Sequence, residues 1–186
     1  VSLNVANSTP TDEYCSNEGA KLLTLNPPDG RLFINNVEVP TISDPTGNQY
    51  QLSSATGSLA PFQVRYEKTS GIAGCLNSAS RTIFLFPSPV ADFTDASRCF
   101  DTPFSLTSLN NTNAVSWSWN MDDGTAVING NAINHVYPST LLAAGFGSSR
   151  DFNVNLTVEA APQGVSQRIC KDSRTRAITV GSLPNI

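Results

Sequence analysis

Apolar and polar residues alternate in several short stretches of the 186-residue chain, and the periodicity of a helix is nearly absent. The clearest alternation covers Phe62–Glu67, Val115–Met121, Val154–Val158 and Ile178–Val180. Strict alternation is typical of a strand with one buried face, because successive side chains point to opposite sides of a sheet. Turn-forming Asp, Asn, Pro and Gly residues separate these stretches. The pattern therefore predicts an all-β chain made of antiparallel β-sandwiches.

The composition narrows the classes of function. Only 14% of the residues are charged, and the formal net charge is −4. A nucleic-acid partner is not expected, because phosphate binding needs a basic face. Membrane insertion is not expected either, since no apolar run approaches the ~20 residues of a spanning helix.

A proline-rich boundary divides the chain into two parts. Pro87-Ser88-Pro89 follows one predicted strand, and two prolines cannot lie inside a central strand. We therefore expect a first domain at residues 1–88, a second at residues 89–183, and the start of a linker at residues 184–186.

The two predicted domains share a motif before their last strand. Cys75–Leu85 aligns without gaps with Cys170–Val180 in the pattern Cys-x-x-Ser-x-x-Arg-x-Ile-x-[Leu/Val]. Five matches in one register favour a duplication in which each half ends with a Cys, a turn and a final strand.

The four cysteines are divided evenly by this boundary. Cys15 and Cys75 precede it, whereas Cys99 and Cys170 follow it. Their matched positions predict two intradomain disulfides, Cys15–Cys75 and Cys99–Cys170. The alternative is a zinc site, but the chain has no Cys-x-x-Cys motif and one His. Disulfides are typical of oxidising compartments, so we expect an extracellular or cell-surface location.

A family resemblance covers the second half. Residues Trp119–Gly124, His135–Tyr137 and Val154–Val158 resemble the polycystic-kidney-disease (PKD) domain, which reads Trp-Asp-Phe-Gly-Asp-Gly, then His-x-Tyr, then a Val-x-Leu-x-Val strand. Asn120, Met121 and Asp122 depart from that pattern. The resemblance implies a structural core motif formed by Trp119, Tyr137 and His135.

The first half is similar to an Ig-like repeat found beside PKD modules in secreted proteins of Bacteroidota. The similarity lies in Cys15, Leu23–Leu25, Pro61–Tyr66 and Gly71–Cys75. The two resemblances imply tandem Ig-like and PKD-like sandwiches in a surface adhesin. Gliding adhesins and cargo of the type IX secretion system contain such modules.

Candidate chemistry is sparse. The chain has one His, and no Gly-x-Ser-x-Gly, His-Glu-x-x-His or phosphate-loop motif occurs, so we expect neither an enzyme nor a cofactor. Asp122 and Asp123 are weak candidates for a Ca²⁺ site, because Ca²⁺ takes 6–8 oxygen ligands and the loop lacks a calcium-binding spacing. A turn Asp that bonds its own backbone explains the pair equally well.

Two features leave recognition open. Trp117 and Trp119 could stack on sugar rings, but they share a strand face with Val115 and Met121, which favours the core. A long Gly-containing loop follows, and its candidate binding residues are Thr140, Leu141, Phe146 and Arg150.

The sequence predicts a structural and adhesive spacer whose partners are neighbouring domains of the same protein. One alternative is a module that binds surface glycans or proteins, for which an accessory domain of a secreted enzyme is a further setting. Another is a filament subunit, in which Ser2–Val5 adds to the open sheet of a neighbouring copy.

Overall fold

The structure is a computed structural model, and it describes residues 2–5, 10–19, 21–27, 30–39, 49–52, 61–69, 75–94, 97–142 and 149–182. The predicted all-β class is confirmed. The described residues form no α-helix, only a 3₁₀ turn at Ser139–Leu141, and none of their helices is long and apolar enough to span a membrane. The strands are β1 (Ser2–Val5), β2 (Glu13–Cys15), β3 (Lys21–Asn26), β4 (Arg31–Ile34), β5 (Val37–Val39), β6 (Gln49–Leu52), β7 (Phe62–Thr69), β8 (Leu76–Phe86), β9 (Arg98–Cys99), β10 (Phe104–Thr107), β11 (Ser116–Asn120), β12 (Ile128–Asn129), β13 (Ala132–His135), β14 (Ser149–Glu159) and β15 (Lys171–Gly181).

The chain divides into two compact units. Unit 1 contains Val1–Pro87 together with Pro162–Arg168, and unit 2 contains Ser88–Ala161 together with Ile169–Ile186. The first division lies one residue before the predicted boundary. Sequence patterns did not predict that residues 162–168, from the second half of the chain, belong to unit 1. Residues 183–186, which include the predicted linker, lie outside the described residues.

The described residues of unit 1 form two sheets, with strand orders β1-β3-β6 and β2-β8-β7-β4-β5. Alternating residues of both sheets point into one apolar core, including Leu23 and Leu25 from β3 and Phe62, Val64 and Tyr66 from β7. Side chains on the facing sides of two packed sheets form the core of a β-sandwich.

Unit 2 repeats the design with orders β10-β13 and β12-β11-β14-β15-β9. Its longest ladder pairs β14 with β15 over eleven residues each. Leu106 and Ile133 from the small sheet share a core with Trp119, Leu156 and Ile178 from the large sheet.

Two details differ from the sequence-based expectation. The sheets are not wholly antiparallel, because β2 pairs with β8 and β9 pairs with β15 in parallel. The predicted buried face of Val115–Met121 is buried only in its second half. Trp119 and Met121 are fully buried, Trp117 is half-buried, and Val115 is 58% exposed.

Candidate functional site

The disulfide is the first feature that departs from the predicted arrangement. Cys15 and Cys170 are bonded to each other and both are buried, whereas Cys75 is exposed and free and Cys99 is partly exposed and free. The predicted pairs Cys15–Cys75 and Cys99–Cys170 are therefore wrong. The prediction assumed that all residues after Pro89 belong to the second domain, but residues 162–168, just before Cys170, are part of unit 1.

Residues 162–168 form a hairpin that Glu13 holds. Gln163 and Arg168 each donate a backbone hydrogen bond to the carbonyl of the other, which closes the turn. The Glu13 carboxylate accepts hydrogen bonds from Val165 N at 2.7 Å, Ser166 N at 3.0 Å and Ser166 Oγ. We call Glu13 and this hairpin the carboxylate clasp.

The electrostatics of the clasp favour a charged Glu13. Glu13 is only 1% exposed. The hydroxyl of Ser166 lowers the pKa of the Glu13 carboxyl; burial opposes this, and the backbone N–H groups of Val165 and Ser166 lower the pKa further. The net result is a pKa below the ordinary range, so the carboxylate is the form that holds the hairpin.

Two further contacts fit the hairpin to unit 1. Gly164 has φ +70°, and a Cβ atom built there would lie 2.4 Å from Glu13 Oε1 and 2.6 Å from Phe86 Cζ. Only glycine satisfies both the left-handed backbone and this close approach. Arg168 forms an ion pair with Glu18, which is also 3.1 Å from Lys21 Nζ. No sequence signal connects Glu13 with Ser166, because 153 residues separate them.

In unit 2 the residues of the predicted core motif come together around one loop. Trp119 and Tyr137 have no exposed surface, and His135 is 9% exposed. The Trp119 indole N–H donates to Gly130 O at 2.8 Å, and the Tyr137 hydroxyl donates to Met121 O at 2.9 Å. Burial raises the pKa of Tyr137 well above its ordinary value, so the phenol remains a donor.

His135 is bonded to the other arm of the same loop. His135 Nε2 lies 2.8 Å from Asp123 Oδ2. Asp123 Oδ1 accepts from Thr125 N at 3.0 Å and Thr125 Oγ1 at 2.6 Å. Burial raises the pKa of Asp123, but the bonds from Thr125 and His135 outweigh it, so the pKa lies below the usual value. The arrangement is a structural hydrogen-bond network that fixes the turn.

The candidate calcium ligands are both used in bonds within the chain. Asp122 has φ +60°, and its Oδ2 accepts from Asn153 N at 2.8 Å. Asp123 serves Thr125 and His135, as described above. Within the described ranges, no three His, Cys, Asp or Glu residues gather in a way that could hold a metal ion.

The candidate binding loop is described only at its two ends. Thr140 and Leu141 belong to the 3₁₀ turn, and Leu141 packs partly against the core of unit 2. Arg150 donates from Nη1 to Leu141 O at 3.0 Å, and its guanidinium carbon lies 4.8 Å from the Phe152 ring centroid. Phe146 lies outside the described residues. The two described ends are thus tied to each other and to the core.

A second surface of unit 2 lies beside Trp117. The Trp117 indole N–H donates to Asn111 Oδ1 at 3.1 Å. Residues 111–113 are exposed, and Leu109 and Val115 are 57% and 58% exposed at the two ends of this turn. Residues 102–121 contain no Asp, Glu, Lys, Arg or His, although the ladder places Ser116 opposite Glu159, which is paired with Lys171.

A cleft of about 240 Å³ lies in unit 1, where its lining includes Arg31, Glu67 and Lys68. Arg31 is paired with Glu38, and Glu67 is paired with Arg65. These ion pairs balance most of the charge along the cleft, which therefore offers no strong field for a charged ligand.

Comparison with known proteins gives similarity to solved structures alone. No family model matches the chain, and no curated protein matches it. The Bacteroides ovatus mixed-linkage glucan utilization locus protein SGBP-B, solved with a mixed-linkage heptasaccharide, is 16% identical, with a TM-score of 0.32, over 97% of this chain and 47% of that one.

Two Ig-domain structures are similarly distant. The ectodomain of mouse nectin-like molecule 4 is 11% identical, with a TM-score of 0.31, over 100% of this chain and 65% of that chain. The first four Ig domains of Dscam1 isoform 7.44 are 11% identical, with a TM-score of 0.33, over 96% of this chain and 46% of that chain. This chain spans less than two thirds of the length of each of the three.

Proposed function

We propose that the chain is a non-catalytic spacer within an adhesive secreted or cell-surface protein. The observation that carries the proposal is that buried acid–base groups of the chain are already used in bonds within the chain. Asp12 and Glu13 are buried, and Asp12 pairs with Arg81 while Glu13 holds the 162–168 hairpin. His135 and Asp123 are bonded to each other, and Asp123 also accepts from Thr125. These acid–base groups are thus committed to bonds within the chain. The buried Cys15–Cys170 bond supports an oxidising location.

The proposal extends to the finer identity that the resemblance implies. Unit 1 would be Ig-like and unit 2 PKD-like, within a surface protein of the kind used in gliding or exported by type IX secretion. The Trp119, His135 and Tyr137 cluster supports the PKD-like identity, because the residues that match the motif form one buried network.

The spacer function is tested by a fusion that places the chain between a surface anchor and a known binding module. We expect adhesion to be restored by this chain and equally by an unrelated sandwich pair of the same length. The isolated chain on beads should not adhere. Saturable adhesion of the isolated chain would overturn the spacer proposal in favour of a binding module.

A glycan-binding function is the second candidate, and Trp117 is the observation that favours it. A half-buried indole can cover the apolar face of a sugar, while the Asn111 and Asn113 amides and the Thr112 hydroxyl offer hydrogen bonds. The absence of charged residues in 102–121 points to a neutral glycan. A neutral glycan array is the test: binding lost in both Trp117→Ala and Asn111→Ala, with Val37→Ala in unit 1 as the control, would support this function.

Filament assembly by strand addition has less support. Residues Ser2–Val5 already form β1, which pairs with β3 over four residues. Leu3 and Val5 are buried in the core of unit 1. Addition to a neighbour would first require this strand to leave its own core. Filaments of the chain that disappear when the first ten residues are removed would restore this function.

A further inference from the structure

We propose that the Cys15–Cys170 disulfide limits how far the chain lengthens under tension. The bond transmits the force directly between the two cysteines, so the backbone of most residues of the chain does not bear it. The bond closes a covalent loop over residues 16–169. Only residues 1–14 and 171–186 lie outside it. When the two ends of the chain are pulled, tension passes from Cys15 to Cys170 through the bond rather than along the backbone of the loop.

The connectivity fixes how far the chain can lengthen. About 30 residues lie outside the loop, and at roughly 3.5 Å each they give a contour of ~100 Å. Without the bond, all 186 residues extend, to a contour of ~650 Å. Strands β3 to β14 lie wholly inside the loop, so load reaches them only through the ladders that pair them with β1, β2 and β15.

The bond is protected where it lies. Cys15 is 4% exposed and Cys170 is fully buried, so a reductant in solution does not reach the sulfurs while the fold is intact. Glu13 lies two residues before Cys15 on β2, and the hairpin that it holds ends two residues before Cys170.

The residues that remain in the load path are held by ladders. On the C-terminal side the load enters β15, which pairs with β14 along all eleven residues. On the N-terminal side it enters β1, which pairs with only four residues of β3. We therefore expect β1 to detach first and to release the smaller part of the ~100 Å.

Single-molecule pulling of the oxidised full chain between handles at its two ends tests the proposal. We expect a total lengthening near 100 Å for the wild type and several hundred ångströms for Cys15→Ser with Cys170→Ser. The control is Cys75→Ser with Cys99→Ser, which removes the two free cysteines and should behave as the wild type. Peptide mapping without reductant identifies the bonded pair in the same sample.

Two outcomes would overturn the inference. One is a wild-type chain that lengthens as far as the Cys15→Ser, Cys170→Ser variant; the other is a peptide map in which Cys15 is not bonded to Cys170. The inference rests on the proposed spacer function for its biological meaning, but the two fail separately. A chain that adheres by itself and still lengthens by only ~100 Å contradicts the spacer proposal. That result agrees with the inference that the disulfide bears the tension in place of the backbone of the loop.

Discussion

Units 1 and 2 each end with a long strand that follows a cysteine and carries an arginine at the same position. In β8, Arg81 Nε lies 2.8 Å from Asp12 Oδ2, and in β15, Arg176 Nη2 lies 2.8 Å from Asp92 Oδ1. The cysteines differ, because Cys170 is buried and bonded whereas Cys75 is exposed and free. A repeated motif thus predicts a repeated ion pair, but the partner of a cysteine depends on which distant segment lies beside it.

Asp123 and Glu13 also differ in how far along the sequence their hydrogen-bond partners lie. Asp123 in unit 2 holds groups no more than 12 residues away. Glu13 in unit 1 holds backbone groups 152 and 153 residues away. The Asp123 network is therefore a local turn motif, whereas the Glu13 clasp needs a segment from the second half of the chain.

The largest expected effect comes from removing the bonded cysteines. In the chain-entropy model a loop of this length stabilises a fold by about 5 kcal/mol. We expect Cys15→Ser with Cys170→Ser to lose most of that free energy in denaturant melts. Cys75→Ser with Cys99→Ser is the matched control and should unfold at the wild-type denaturant concentration. Equal midpoints for the two double variants would contradict the assigned bond.

Unit 2 should be most sensitive at Trp119. Replacing this fully buried indole by Ala removes its packing and its bond to Gly130, so we expect a loss of roughly 3–5 kcal/mol. Trp117→Ala, at the half-buried neighbour on the same strand face, should cost clearly less. Hydrogen exchange would report the loss in unit 2. A Trp119→Ala chain with an unchanged melting temperature would refute the core assignment.

This difference in sequence separation explains which features the sequence could predict. Trp119, His135 and Tyr137 lie within one short stretch, and the resemblance to the PKD pattern implied that they form a local cluster; the structure buries all three. Alternation predicted β7, β11 and β14, because a strand with one buried face has alternating apolar and polar residues. Glu13 carries no such signal. The backbone N–H groups that Glu13 holds select no residue type, and the Ser166 and Gly164 side of the clasp gives no sign of a distant partner, so the clasp and the cysteine pairing depended on tertiary placement.

Two glycines with left-handed backbones give a matched test of close packing. Gly164 in unit 1 has φ +70°, with Glu13 and Phe86 inside the space of a Cβ, whereas Gly124 in unit 2 has φ +85° and no atom within 4 Å. Each Gly→Ala change costs about 1–2 kcal/mol for the backbone alone. We expect Gly164→Ala to cost about 1–3 kcal/mol more, from overpacking. Chemical melts of the two variants compare them, and equal losses would mean that the hairpin yields without strain.

Acid should weaken unit 1 before unit 2. The pKa values of Glu13 and Asp123 both lie below their ordinary values, so each carboxylate contributes stability fully at pH values above its unfolded pKa. That contribution is lost as the pH falls through the folded pKa. Ordinary values are about 4.3 for Glu and 3.9 for Asp, so the loss begins at a higher pH for the clasp. Melting temperatures between pH 6 and 2 should fall less steeply for Glu13→Gln, and a slope like that of the wild type would argue against the clasp.

The smallest effects should come from the repeated ion pairs, where the two units are most alike. Arg81 and Arg176 are each about 30% exposed at the side chain, whereas the Asp12 side chain is 11% exposed and that of Asp92 is 39% exposed, so solvent reaches both pairs but screens the Arg176 pair more. We expect Arg81→Gln and Arg176→Gln each to cost about 1 kcal/mol or less, and 1 M salt to reduce the difference from the wild type. Arg176 has further interactions, including a guanidinium carbon 5.9 Å from the Phe93 ring centroid, so its loss should be slightly the larger. Urea melts of both variants at low and high salt measure this. A loss at Arg81 several times that at Arg176 would show that the two pairs have different roles, although the motif around them repeats.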